Sequence, residues 1–271
     1  MLRFALNISL TLNELAWSER LETAARLGFG AIECWWPDGV DLATLARHIR
    51  DTGLQTALVN FPAGNLAQGE RGWLNHPERQ YEWRAMVPQA LAFAHQIGCP
   101  RMNALVGKLL PNESRESQLA RVRDNLAWVC EQAAAAGIEV VVESLNAWEN
   151  TGYLLTTTAE TLALLDSVGA PKLRYQYDVY HMQLMEGNIT RTIRQHVNRI
   201  GHIQVADAPD RHQPGTGELH FPFIFRTIAE SGYTGYIGLE FVPRGEIEAC
   251  FAWLPANRRE PIDPARLQWA E

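Results

Sequence analysis

Eight short apolar runs rich in β-branched residues recur along this chain, and a helical pattern follows nearly every one of them. The expected strands are Leu2–Ile8, Ala31–Trp35, Gln55–Asn60, Arg101–Val106, Glu139–Leu145, Leu173–Tyr180, Ile200–Ala206 and Tyr236–Val242. The expected helices include Leu15–Leu27, Leu42–Thr52, Tyr81–Ile97, Ser114–Ala136, Ala159–Val168, Thr190–His196 and Pro222–Ser231. Alternating units of this kind build a parallel sheet, because the chain must cross back over one face before it can lay down the next strand. Eight units are enough to close the sheet into a (β/α)8 barrel, and 271 residues suit a fold that typically takes ~250. Gly28, Gly53, Gly98, Gly137 and Gly169 each follow the last periodic residue of a helix, where a C-terminal cap is expected. An open doubly wound sheet would place GxGxxG after the first strand, and that position reads NISLTLNE. No linker divides residues 1–271, so one barrel domain is expected, with a short Pro- and Arg-rich extension after about residue 253.

Charge and composition narrow the function. The formal net charge of -7 gives no electrostatic support to nucleic-acid binding. Cys34, Cys99, Cys130 and Cys250 are far apart, which suggests neither a disulfide framework nor a zinc knuckle. No stretch approaches the ~18 apolar residues of a membrane span, and the N-terminus lacks a secretory pattern, so a cytoplasmic protein is expected. The sequence contains no P-loop, so no nucleotide cofactor is expected. The segment Phe61–Arg79 is long for a connection in a compact domain, and loops of that length are usually functional.

The informative polar residues stand at the ends of the last four strands. Glu143 closes VVVE, Asp178 lies in QYD, Gln204 in HIQ and Glu240 in GLE, at intervals of 35, 26 and 36 residues. Each interval is about one strand-plus-helix unit, which places all four at one height on the catalytic face of a barrel. A lone carboxylate at a strand end is often a helix cap or an ion-pair partner. Three carboxylates in mutual contact, however, repel unless a cation or protons compensate them. Three carboxylates and one amide oxygen make an all-oxygen site that suits Mg2+ or Mn2+ better than zinc. Around it, His181 and Glu149 are candidates to touch substrate oxygens, and Lys108 and Arg71 are candidate partners for an anionic substrate. Trp35 and Trp36 are candidate pocket walls, Glu70 a carboxylate at the mouth, and Asp207 a further acid beyond the seventh strand. His202 points the same way as Gln204 but deeper, where a structural polar contact is expected.

At these residues the chain resembles the hydroxypyruvate isomerase family of the xylose-isomerase-like barrels. The stretches that carry the resemblance are PAGNLAQGERG, NALVGK, VVVESLN, QYDVYHMQLMEGN, GHIQVADAPDRHQPGTGEL and YIGLEF, and it extends over nearly the whole chain. The resemblance implies that Glu143 and Glu240 are paired catalytic glutamates and that Asp178 and Gln204 complete the metal set. Many members of the wider superfamily have His at the strand-seven position. It also implies that His181 and Glu149 contact substrate, and that the substrate is a small hydroxy-keto acid or sugar acid. NALVGK and YHMQ resemble the hydroxypyruvate branch, whereas APDRHQP resembles 2-oxo-tetronate isomerases, so hydroxypyruvate, 2-oxo-tetronates and ketoses all stay open. The segment after Trp253 departs from the usual short family ending. It is expected to pack along the outside or at a subunit contact, and self-association stays open. An AP-endonuclease-like barrel acting on DNA would call for more histidine ligands and a basic face, and a non-catalytic binding barrel would leave four aligned ligands idle.

Overall fold

The computed structural model describes residues 1–269. Strands β1 (Arg3–Asn7), β2 (Ala31–Cys34), β3 (Gln55–Asn60), β4 (Arg101–Asn103), β5 (Glu139–Glu143), β6 (Leu173–Asp178), β7 (Ile200–Val205) and β8 (Tyr236–Leu239) each pair in parallel with the next. β8 returns to β1 and the sheet closes as a barrel. Helices α1 (Trp17–Arg26), α2 (Leu42–Thr52), α3 (Gln80–Gln96), α4 (Arg115–Ala135), α5 (Thr158–Val168), α6 (Val179–Met185), α7 (Ile189–His196) and α8 (Phe221–Glu230) run between the strands. The strands are buried on both faces, as a parallel sheet wrapped in helices requires, and so they read as near-continuous apolar runs.

The expected elements are all present, and the main differences lie at strand ends. The sixth strand stops at Asp178, two residues short of expectation, because the Asp178 carboxylate accepts the Tyr180 N–H at 2.8 Å and caps α6. Val179 and Tyr180 are good strand formers by residue type, so this helix is invisible to periodicity. The eighth strand ends at Leu239, so Glu240 stands just beyond the ladder. Gly53 and Gly169 end α2 and α5 in the left-handed region at φ +66° and +67°, a conformation that glycine adopts without strain.

The two ends of the barrel are filled differently. Near the N-terminal ends of the strands the interior is packed by Ala5, Ala31 and Ala57 beneath Tyr236. The C-terminal segment covers this same end. Leu2 and Ile262 exchange two backbone hydrogen bonds of 2.7 Å, and Arg258 pairs with the chain at Phe29. Gly28 passes so close to this segment that a Cβ there would meet the Ala256 carbonyl oxygen at 2.1 Å. The segment thus packs along the outside, anchored by Trp253, which stacks on Phe225 at 5.4 Å and meets Phe4 edge-on at 5.5 Å. Replacing Trp253 by Ala should cost about 3–5 kcal/mol of stability, the usual penalty for emptying a buried aromatic site. Urea unfolding measures this, and an unchanged midpoint would show that the segment folds independently of the barrel.

Candidate active site

Glu143 is the last residue of β5, Asp178 the last of β6, Gln204 the penultimate residue of β7, and Glu240 follows β8 directly. Their positions follow the stagger of a tilted barrel. Glu143 pairs with Gln176, two residues below Asp178; Asp178 pairs with Gln204; and Gln204 pairs with Gly238, two residues below Glu240. Because the register climbs from strand to strand in a closed barrel, these offsets bring the four side chains to a common layer. All four are at most 5% exposed. Glu143 and Glu240 line a cavity of about 570 Å³ at the C-terminal mouth, together with Trp35, Arg71, Glu149, His181 and Arg211.

Burial dominates the electrostatics of this layer. The Glu143 carboxyl is pushed well above the ordinary carboxylate range by burial, then by the negative charges of Glu240 and Asp178. Burial likewise raises Glu240 to about 7 and Asp178 to about 6, against the pull of the Arg211 guanidinium. Arg211 donates to Glu240 Oε2 at 2.8 Å and lies 3.9 Å from Asp178 Oδ2. Burial disfavours the Arg211 charge, but Glu240 and Asp178 more than restore it. Glu240 Oε1 also accepts from Asn7 Nδ2 and from the Trp35 indole N–H, both at 2.8 Å.

His181 lies on α6 and is buried. Its Nδ1 accepts the backbone N–H of Asn146 at 3.2 Å, so the proton of the neutral ring sits on Nε2. Burial, then Arg211 and Arg71, hold its pKa well below the usual imidazole range. The Nε2–H therefore faces Asp178 Oδ2 at 3.6 Å and Glu143 Oε1 at 4.0 Å without a hydrogen bond to either.

The residues present fit a divalent cation. Glu143, Asp178 and His181 form a buried group whose ligand atoms lie within 4.8 Å of one another and could hold a metal. Asp178 Oδ2 is buried without a hydrogen-bond partner, an orphan acceptor that a cation would satisfy. Because the lone pair of His181 Nδ1 is taken and Nε2 carries the proton, the oxygen donors suit the ion better than the imidazole does. Gln204 Oε1 accepts from Gln176 Nε2 at 2.6 Å and keeps a second lone pair.

The other candidates are distributed unevenly. Glu149 faces the cavity, accepting from the Tyr180 hydroxyl at 2.7 Å and from Asn146 at 3.0 Å. Arg71 also faces it, braced by the Asn150 side chain at 2.7 Å and the Leu66 carbonyl. Lys108 does not line the cavity, because its backbone pairs with Tyr153 and its ammonium lies over Gly69 of the long loop. Glu70 is committed to shaping that loop, accepting from Asn65 N, the Trp73 indole and Arg79. Trp35 walls the cavity, whereas Trp36 turns outward against Phe93. His202 makes its polar contact below the site, 2.6 Å from Glu33.

Sequence reasoning missed Arg211 and Glu33. Arg211 sits in an irregular loop with φ +59°, a rare conformation for a long side chain that its surroundings must enforce. Asp207 does the enforcing. Its carboxylate accepts five backbone N–H groups, from Ala208, Gly215, Thr216, Gly217 and Leu219, at 2.9–3.1 Å, and so fixes the loop that carries Arg211. Glu33 was legible only as a lone acid inside an apolar strand, a position that acids rarely occupy without partners.

A closed parallel barrel with ionisable side chains gathered at the C-terminal ends of its strands is the architecture of a TIM-barrel enzyme. Residues 21–259 match the family described as xylose isomerase-like TIM barrel. Hydroxypyruvate isomerase of Escherichia coli K12 is 38% identical over 258 residues, which cover 95% of this chain and 100% of the relative. A 2-oxo-tetronate isomerase of Cupriavidus necator is 37% identical, covering 94% of this chain and 98% of the relative. A crystal structure from Brucella melitensis described as an AP endonuclease, family 2, superposes with a TM-score of 0.89 at 36% identity, covering 93% of this chain and 98% of that one. The chain belongs to the hydroxypyruvate isomerase family of the xylose isomerase-like TIM barrels and is an isomerase.

Two outcomes follow. Asp207→Ala should lower the melting temperature and loosen Arg211, raising KM more than it lowers kcat; an unchanged KM would show that the loop keeps its shape without the carboxylate. For Asp178, a folded-state pKa of about 6 against an ordinary 3.8 means that folding favours the protonated form. The stability it contributes is complete below the ordinary value and is lost as pH rises through 6. Asp178→Asn keeps the capping oxygen and removes the charge. With chelator present it should therefore be more stable than wild type at pH 8 by roughly 1–3 kcal/mol, a gain that fades toward pH 4. Denaturant titrations at the two pH values measure it, and a loss of stability at pH 8 would contradict the burial argument.

Proposed function

We propose that this protein interconverts hydroxypyruvate and tartronate semialdehyde (2-hydroxy-3-oxopropanoate) through an enediol, with Glu143 and Glu240 as the acid–base pair. Glu143, Asp178, Gln204 and Glu240 would hold the divalent cation, Mg2+ or Mn2+. The observation that carries the reading is the pair of buried carboxyls on one cavity, Glu240 raised to about 7 and Glu143 also raised well above its ordinary value. Both carboxyls face one cavity, where positioned acid–base groups can pass protons to and from a bound substrate.

The chemistry is a proton moved between adjacent carbons. One glutamate takes a proton from C3 of hydroxypyruvate; the C–H electrons form the C2–C3 double bond, and the C2 oxygen gains a proton. The other glutamate then returns a proton to C2, while the C3 hydroxyl loses its own and becomes the aldehyde. Coupling between the two carboxyls makes their titration a property of the pair, so the roles are assigned to the pair and not to either residue. His181, with its proton on Nε2, donates toward the oxygen that becomes negative, and the cationic Arg71 and Arg211 face the substrate carboxylate. A bound divalent cation supplies Lewis acidity, which acidifies the C–H bond and stabilises the developing oxyanion.

The same residues would serve a four-carbon 2-oxo-tetronate or a ketose 3-epimerisation. The cavity of about 570 Å³ leaves room for these larger substrates, since it exceeds what a three-carbon acid fills. No helix among the described residues is long and apolar enough to cross a membrane, and the four cysteines are free and buried. Both suit the reducing cytoplasm in which we place the activity.

Proton NMR in deuterated water, with hydroxypyruvate and 2-oxo-tetronates as parallel substrates, should show metal-dependent exchange at C3 that stops on chelation. Glu143→Gln and Glu240→Gln should each lower kcat by at least ~10²-fold, the usual contribution of a positioned acid or base. Either variant turning over at near the wild-type rate with its metal in place would refute the two-glutamate scheme.

A further inference from the structure

Below the catalytic layer the barrel encloses a second group of fully buried polar side chains. Glu33 on β2 and His202 on β7 are both 0% exposed, with His202 Nε2 2.6 Å from Glu33 Oε2. The other carboxylate oxygen, Glu33 Oε1, accepts from Gln204 Nε2 at 2.6 Å and from Asn7 Nδ2 at 3.0 Å. Only glycine fits opposite this carboxylate on β8, since a Cβ at Gly238 would come within 2.2 Å of Glu33 Oε2. None of these contacts belongs to the proton transfer itself.

A side-chain amide is chemically two-faced, offering two N–H donors on one side and an acceptor oxygen on the other. On its acceptor side Gln204 Oε1 takes a hydrogen bond from Gln176 Nε2 at 2.6 Å, a neutral amide that could itself turn. Glu33 decides which way Gln204 faces, because a carboxylate engaged by three donors can only accept. The Gln204 NH2 must point down to Glu33, which leaves Oε1 directed away from it. The same holds for Asn7, whose oxygen is independently fixed by the N–H groups of Ser9 and Leu10 at 3.1 and 3.0 Å. Its NH2 then bridges Glu33 Oε1 and Glu240 Oε1.

We propose that Glu33 is a positioning residue, which turns the Gln204 carbonyl oxygen toward the cation and the Asn7 N–H toward Glu240 from beneath the site. The inference rests on the metal-site reading given above. It also accounts for an amide at the β7 ligand position. An amide is a dependable oxygen ligand only when a fixed acceptor holds its nitrogen, and Glu33 is that acceptor.

The test is Mn2+ affinity of the metal-depleted protein, read by electron paramagnetic resonance and calorimetry, with no substrate present. Glu33→Gln removes the acceptor-only partner and allows the Gln204 amide to turn its nitrogen upward. Affinity should fall by roughly tenfold or more, the usual loss when an outer partner of a metal ligand is removed. Gln204→Glu alone sets two carboxylates against each other and should lower the melting temperature of the metal-depleted protein. The double variant E33Q/Q204E restores a donor facing an acceptor and presents a carboxylate oxygen upward whichever way it turns. Its Mn2+ affinity should return to within about threefold of wild type, a recovery on the scale of the outer-partner effect itself.

A purely structural role for Glu33 predicts no such recovery, because the second substitution would only add damage. Glu33→Gln binding Mn2+ as tightly as wild type, or a double variant no better than Glu33→Gln, overturns the proposal while leaving the metal reading intact. Wild-type protein that binds no Mn2+ overturns both. If Glu33→Gln does not fold, the expected result is a double variant that folds and binds Mn2+, and a double variant that also fails to fold overturns the proposal.

Discussion

Three buried carboxylates crowd the mouth of this barrel around the guanidinium of Arg211, and much of the surrounding structure serves to hold them there. Removing a carboxylate from water is costly, and neighbouring anions raise the cost. Arg211 offsets part of it for Glu240 and Asp178, and orphaned Asp178 Oδ2 marks where compensation is still missing. The tension has consequences in both directions. It raises the Glu143 and Glu240 carboxyls above the ordinary carboxylate range, and it makes a divalent cation a fitting occupant. Asp207 with its five N–H donors, Asn7 and Trp35 on Glu240, and Asn103 on Glu143 at 2.9 Å are the supports that keep the anions in place.

The barrel separates this expensive layer from the part that stabilises the fold. At the N-terminal end, small alanines and Tyr236 fill the interior, and the aromatic cluster of Phe4, Phe225 and Trp253 ties the C-terminal segment across the outside. Between the ends lies the Glu33–His202 layer, polar but fully buried. Ionisable side chains thus gather at one end, where the loops leave space for a ligand, while apolar packing dominates the other.

Much of this was readable from residues taken one at a time. The Val140–Val142 run followed by Glu143, and its counterparts on the next three strands, showed both the parallel barrel and the carboxylate layer. Acids that recur at strand ends one structural unit apart must converge on a single layer once the sheet closes. Trp36 and Lys108 lie two and five residues beyond the last residues of their strands, where no ladder fixes the direction of a side chain. The helix that carries His181 was not expected, because a helix that begins immediately after a strand, capped by the strand's own aspartate, leaves no break in the apolar pattern.

The sequence by itself determined the eightfold alternation, the closed parallel sheet and the identity of the acids at the ends of its last four strands. These depend on local periodicity and on spacing, both of which are properties of the chain. Tertiary structure alone decided which polar atoms meet. Arg211 reaches Glu240 across 29 residues through a loop held by Asp207, and Glu33 reaches Gln204 across 171. Hydrogen-bond direction, tautomer and pKa arise from contacts between distant strands inside a closed interior, where no sequence interval records them.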